Sequence, residues 1–151
     1  KAHENYKNSP NKEYEKRNRS VRISQEQTDK RTFLREWYQD EEGKVTCQIC
    51  KAPSSFKNRQ DKYYFEAVEI IVDEKEYDAN ALALCPLCAA KYQNGDRTED
   101  EKIKENLREL YSKRKEVQKL AVEIELCGEK KQIQFVVKHL IDLLPIYEKS
   151  D

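Results

Sequence analysis

Residues 47–50 read CQIC and residues 85–88 read CPLC, with thirty-four residues between the two pairs. Two thiolates separated by two residues grip one metal ion from a single tight turn. A second such turn, brought alongside, completes the tetrahedron that Zn²⁺ accepts. Cys47, Cys50, Cys85 and Cys88 are therefore the expected ligands of one structural Zn²⁺. The alternatives are a pair of disulfides or four unrelated buried thiols. A fifth cysteine, Cys127, stands beside Gly128 in an expected turn. An odd cysteine next to two metal-type pairs suits a reducing compartment, and with it a cytoplasmic location.

Between the pairs, a loop with Pro53 and two serines leads to Phe56 and a polar turn around Asn58 to Asp61. Tyr63 to Val72 (YYFEAVEIIV) is rich in aromatic and β-branched residues and predicts a strand. The polar DEKEYDAN then leads to Ala81–Leu84 and the second pair, and AAKYQ after Cys88 favours a helix. Cys88 is thus expected in a first helical turn, where the helix dipole favours a thiolate. A knuckle, a hairpin and a second pair that opens a helix is the treble-clef order, not that of a zinc ribbon with two hairpin knuckles.

On the N-terminal side, residues 1–20 are polar, lack hydrophobic periodicity and contain Pro10, which predicts a linker or disordered arm. The arm is mildly basic, and a solvated linker is preferred to a nucleic-acid arm. Val21 and Ile23 suggest a short strand, and Ser24 or Thr28 caps a helix over 28–39. Phe33, Leu34, Trp37 and Tyr38 fall on one side of that helix and are expected to pack on the cysteine module.

On the C-terminal side, Thr98 with Glu101 three residues on is a capping-box pattern. Ile103, Leu107, Leu110, Tyr111, Val117 and Leu120 mark the apolar face of the helix it would open. Leu120, Val122, Ile124 and Leu126 alternate, as do Ile133, Phe135 and Val137, with Cys127 to Lys130 as the turn of a hairpin. A last helix is expected around His139 to Glu148, with His139 as a satisfied structural histidine. The fold class is α+β: a small zinc-stapled treble-clef core with flanking helices and a C-terminal hairpin plus helix. The expected division is an arm over 1–20, a helix with the four-cysteine module over 21–95, and a helix, hairpin and terminal helix over 96–151 that pack on it.

Composition bounds this reading. Of 151 residues, 37% are hydrophobic and 38% charged, too polar for one large core and too apolar for full disorder. Metal binding would compensate, since its free energy becomes folding free energy. The 29 basic and 29 acidic residues cancel. That balance argues against a general polyanion-binding surface while leaving room for local patches. No signal peptide or apolar run of membrane-spanning length is present in the sequence, so no membrane partner is expected. The chain opens on Lys1 rather than Met, which suggests a piece of a larger protein whose other domains would be partners.

The C-x2-C knuckle, a strand with a charged-aromatic centre, an asparagine and an L-C-x2-C that opens a helix together resemble the HNH-endonuclease ββα-metal module. The resemblance is to the variety stapled by a four-cysteine zinc. In that family the first strand carries a histidine pair, one a metal ligand and one the general base that activates water. The resemblance places Val68 and Glu69 there, Asn80 at the central asparagine, and Ala89 and Gln93 where further histidines would stand. It therefore implies a degenerate module that keeps the structural zinc, has lost the nuclease centre, and has no catalytic residue. The order TFLREWY, CQIC, YYFEAVE, LALCPLCAAKY and hairpin-helix, over about residues 21–148, is also similar to a module near the C-terminus of large bacterial proteins. Some of those carry a sacsin-like ATPase domain upstream, although this chain itself has three glycines and no phosphate-cradling loop.

The expected function is a non-catalytic zinc-binding module of a larger bacterial protein that binds DNA, RNA or another protein domain, with a role in defence against foreign DNA. Lys51, Lys57, Arg59 and Lys62 around the first knuckle are the candidate phosphate contacts. Two alternatives are an HNH-type nuclease with an altered centre built on Glu66, Glu69 and Asn80, and a structural or oligomerisation module that uses the helix from Thr98 and the hairpin.

Overall fold

The computed structural model describes residues 30–73 and 75–148. The arm over 1–20, the short strand at Val21 and Ile23, and the caps at Ser24 or Thr28 lie outside the described residues. A helix runs through residues 30–38 (α1). It is followed by strands β1 (Glu66–Glu69) and β2 (Ala81–Leu84) and helices α2 (Pro86–Asn94) and α3 (Asp100–Ser112). Strands β3 (Ala121–Leu126) and β4 (Glu129–Gln134) and the short helices α4 (Val137–Asp142) and α5 (Leu144–Tyr147) complete the order. Each strand pair is an antiparallel hairpin, so the fold is a small α+β arrangement of two hairpins and their helices.

Strand β2 is the centre of the packing because its two faces carry different residues. Ala81 and Ala83 face a cluster with Leu34 and Tyr38 of α1, Val45 and Phe65. Their small side chains let α1 lie close. Leu82 and Leu84 face the larger core, with Val68, the α3 residues Ile103, Leu107 and Leu110, and Val122, Ile124 and Ile133 of the second hairpin. All four β2 residues are buried. The stripe on α1 packs through Leu34 and Tyr38, with Trp37 partly buried beside them and Phe33 left exposed. Arg31 and Arg35 pin α1 further by donating to the carbonyls of Phe65 and Tyr63 at 2.7 and 2.9 Å.

Several local expectations are corrected. The strand predicted over Tyr63 to Val72 is only Glu66–Glu69, because its partner is four residues long. Tyr63 bridges instead to Lys57. Beyond Glu69, the backbone of Ile71 is bonded by a side chain: its N–H donates to Asn80 Oδ1 at 3.3 Å, and Asn80 Nδ2 donates to its carbonyl at 2.9 Å. The capping box at Thr98 does not form. Helix α3 has Glu99 as N-cap with no side-chain cap bond, while Thr98 Oγ1 accepts from the Glu125 N–H at 2.8 Å. Thr98 is drawn to the edge of β3, and Asp100 and Glu101 supply the negative charge that favours the helix start.

The third correction is that α3 stops at Ser112, so Val117 and Leu120 are not on its face; Val117 is exposed and Leu120 packs against the core from outside the helix. Last, the terminal helix is two short ones. Pro145 has no N–H to continue α4 and sits in the first turn of α5, where none is needed.

The hairpin turn is tighter than the four residues expected. Cys127 (φ 52°) and Gly128 (φ 81°) form a two-residue connection between Leu126 and Glu129, the geometry that matches strand twist. The Cys127 thiol packs against Gly95. A Cβ at Gly95 would collide with Cys127 Sγ and lie 2.8 Å from the Lys91 carbonyl oxygen, itself the acceptor of the Gly95 N–H. Gly95→Ala is therefore expected to cost about 1–3 kcal/mol of stability through overpacking, read as a lower urea midpoint.

His139 is fully buried and hydrogen-bonded on both nitrogens, stacked on Trp37 with ring centroids 4.7 Å apart. The Ala79 carbonyl, 2.8 Å from Nε2, can only accept, so the proton sits on Nε2. Nδ1 then accepts from the Tyr38 hydroxyl at 2.6 Å, and the Tyr38 oxygen in turn accepts from the Val136 N–H. This relay joins α1, α4 and the loop before β2.

Burial pushes the His139 pKa down from 6.5 to about 4. The unfolded chain therefore takes up a proton near pH 6.5 that the folded chain refuses until about pH 4. The stability that neutral His139 contributes is complete above pH 6.5 and is lost as pH falls to about 4, a loss of about 3 kcal/mol. In urea titrations across that window, His139→Gln is expected to remove this part of the acid sensitivity. Equal pH slopes for the two proteins would contradict it.

Candidate metal centre

The first knuckle is a reversal closed by its own backbone. The Lys51 N–H donates to the Cys47 carbonyl at 2.9 Å and the Cys47 N–H to the Ala52 carbonyl at 3.0 Å. Lys51 takes a left-handed conformation (φ 65°) to make the reversal. The Cys50 N–H points at Cys47 Sγ, 3.5 Å away. The second pair is built differently. Cys85 is the N-cap of α2 and its Sγ accepts from the Cys88 N–H at 3.4 Å, with Pro86 in the first turn. Cys88 lies in that first helical turn, as its sequence context predicts.

The fold brings the four sulfurs together within 4.8 Å of one another, with Cys50 Sγ and Cys85 Sγ 3.7 Å apart. None is in a disulfide. A Zn²⁺–thiolate bond of about 2.3 Å in a tetrahedron sets sulfur–sulfur edges of about 3.8 Å. The Cys50–Cys85 pair stands at that separation, and the other sulfurs lie close enough to converge on one ion. It can hold a metal ion, and among the described residues it is the one group of three or more His, Cys, Asp or Glu side chains placed to do so.

The thiols are unequal. Burial pushes the Cys47 thiol up, and burial followed by repulsion from Cys47 pushes Cys88 well above the ordinary thiol range. Burial opposes ionisation of Cys85 as well, but the Cys88 N–H and the neighbouring thiols outweigh it and hold Cys85 below its usual value. Cys85 thus ionises more readily than Cys47 and Cys88, which resist. A divalent cation among them removes that resistance, since a coordinating thiol is deprotonated outright.

Gln48, between the two ligands of the first knuckle, carries no obvious signal in the sequence, yet it is only 2% exposed. Its backbone N–H donates to the Ala83 carbonyl at 2.9 Å and its Oε1 accepts from the Ala83 N–H at 2.8 Å. On its other side, Nε2 donates to the Gln134 carbonyl at 2.7 Å and its own carbonyl accepts from the Gln134 N–H at 2.8 Å. One residue therefore fixes the knuckle to β2, which leads into Cys85, and to the end of β4.

The residues of the altered-nuclease alternative are not brought together. Glu66 and Glu69 are three apart on β1 and so point to opposite faces. Glu66 accepts the Tyr64 hydroxyl, Glu69 is exposed, and the Asn80 amide is buried and engaged by Ile71. Val68 and Ala89 are buried apolar residues.

The candidate phosphate contacts are all exposed. Lys51 is on the knuckle, and Lys57, Arg59 and Lys62 are on a loop over residues 56–64. That loop is closed by the Tyr64 N–H to Phe56 carbonyl bond at 3.0 Å and the Asn58 N–H to Lys62 carbonyl bond at 2.7 Å. Lys57 also pairs with Asp61 at 3.5 Å. No described helix is long and apolar enough to cross a membrane. Compared with known proteins, the chain matches no family model, no curated protein and no solved structure.

Proposed function

We propose that this chain is a zinc-stapled treble-clef module without catalytic activity that binds nucleic acid. The observation that carries the reading is the cluster of four cysteine sulfurs within 4.8 Å of one another, a set able to hold one metal ion. Zinc suits it because a closed four-thiolate set leaves no open position for substrate, which makes the metal a structural staple. The order of knuckle, β1–β2 hairpin and cysteine-capped α2 supports the treble-clef assignment and its HNH-like ancestry. Buried Val68 and Ala89, and an Asn80 amide spent on backbone, support the loss of a nuclease centre.

Nucleic acid is the favoured partner because charge is local in an otherwise neutral chain. Residues 51–64 carry Lys51, Lys57, Arg59 and Lys62 against the one carboxylate of Asp61, on an exposed loop beside the knuckle. Salt-dependent binding of an oligonucleotide is expected. Replacing Lys57, Arg59 and Lys62 by Gln weakens it and lowers the salt slope by about one for each phosphate that is no longer neutralised. Divalent-metal-dependent cleavage that disappears in Glu69→Ala would overturn the non-catalytic part of the proposal.

A further inference from the structure

Beside the cysteine quartet lies a small cavity of about 170 Å³. Its walls are mainly Pro53, Phe56, Tyr64, Phe65, Leu84 and Pro86, and it reaches Cys47 and Cys85 but neither Cys50 nor Cys88. It is therefore distinct from the space between the four sulfurs. Sites for free small molecules run to roughly 300–1,000 Å³. A cavity of this size suits one ring-sized group presented by a larger partner.

An aromatic platform stands at this cavity. Phe56 and Tyr64 stack with centroids 5.1 Å apart and an interplanar angle of 15°. Phe56 remains 51% exposed, so part of the stack is open to solvent. The platform is held from several sides: the Tyr64 N–H bonds the Phe56 carbonyl, the Tyr64 hydroxyl donates to Glu66, and the Arg31 guanidinium lies over the Tyr64 ring. A rigid, exposed ring pair of this kind loses little entropy when a further ring stacks on it.

The charges select the partner. The wall segment 52–56 is flanked in the chain by Lys51 and Lys57, and the loop that Phe56 and Tyr64 close carries Arg59 and Lys62. The acidic residues of segment 51–66 are Asp61, already paired with Lys57, and Glu66, already bonded by Tyr64. Cations around an aromatic platform and a ring-sized slot are the elements of single-strand recognition, in which phosphates track the positive charge while bases stack.

We propose that this cavity and the Phe56–Tyr64 platform receive one unpaired nucleobase of a single strand, with the strand's phosphates along Lys51, Lys57, Arg59 and Lys62. This deepens the proposed function and rests on it. A base within a duplex is stacked and paired and cannot enter. Single-stranded nucleic acid is therefore the preferred ligand.

The test uses the whole metal-loaded chain and fluorescence anisotropy with three probes: a mixed-sequence single strand, its duplex, and the single strand with abasic sites. The expected result is tighter binding to the intact single strand than to the other two. Phe56→Ala should lose about tenfold or more of that affinity, in keeping with one base–aromatic stack, with its salt slope unchanged. Because Phe56 is exposed, the variant should keep its metal content and melting temperature, and these are measured alongside. Equal binding to all three probes, or no effect of Phe56→Ala, would leave nucleic-acid binding standing and overturn the base pocket. No binding to any probe at low salt would overturn both. An acidic peptide with an aromatic residue that binds here while no oligonucleotide does would also overturn both, in favour of a protein partner.

Discussion

Chelating the metal from the purified chain is expected to unfold the core, with loss of stability comparable to the whole folding free energy. Structural zinc contributes about 10–16 kcal/mol in small zinc-dependent peptides, against roughly 5–15 kcal/mol of net stability for a typical domain. The route runs through β2. Its last residue leads directly into Cys85, and its two faces serve both hydrophobic clusters. Without a cation, four thiols within 4.8 Å of one another have no common charge partner, and burial keeps Cys47 and Cys88 protonated. Releasing the second pair unseats β2, and with it the docking of α1.

Trp37, the single tryptophan, stacks on His139 and reports that docking. Loss of near-ultraviolet dichroism together with a change in Trp37 emission on chelation is the predicted outcome, reversed by adding Zn²⁺. Cys85→Ser should show the same state without chelator. A chelated chain that melts at the temperature of the untreated one would contradict the prediction. Because ligand thiols must lose their protons, metal affinity falls as pH is lowered.

The second large effect is expected at Gln48. Gln48→Ala removes the partners of the buried Ala83 N–H and the part-buried Gln134 carbonyl and leaves both without side-chain replacement. An unsatisfied buried group costs about 1–3 kcal/mol, so the Ala83 amide alone costs about that much and the part-buried Gln134 carbonyl adds less. Gln48→Glu separates bonding from shape: the carboxylate keeps the acceptor for Ala83 but sets a charged oxygen against the Gln134 carbonyl. Both variants are expected to lower the urea midpoint and to release metal at lower chelator concentration, because Gln48 holds the first knuckle against the strand that carries the second. Wild-type metal retention in Gln48→Ala would mean that the knuckle is positioned by the cysteines alone.

What was legible in the sequence was what is local. Two thiols two residues apart dictate a turn whatever surrounds them, so the quartet could be read directly. The second hairpin was equally visible, because Val122, Ile124 and Leu126 alternate with charged residues and turn inward together. The helix-favouring run after Cys88 placed that cysteine in the first turn of α2.

Several of the misses are choices of a distant partner. Thr98 has the local pattern of a cap, but the free edge of β3 offers its hydroxyl an N–H donor at Glu125, and that bond forms instead. Val72 looks like strand, but its N–H donates to the Asp100 carboxylate and not to a ladder. Gln48 reads as an ordinary polar residue in a turn, and only the fold shows that Ala83 and Gln134 flank it on two sides. Periodicity encodes which face of an element is apolar; it does not encode which backbone group from elsewhere will arrive beside a given amide.

Metal analysis of the chain as purified tests the central claim most directly. One zinc per chain, absent from Cys85→Ser and retained in Phe56→Ala, is the result expected if the four clustered sulfurs hold one structural ion. A chain that carries no metal, yet is fully folded and indifferent to loss of Cys85, would contradict it.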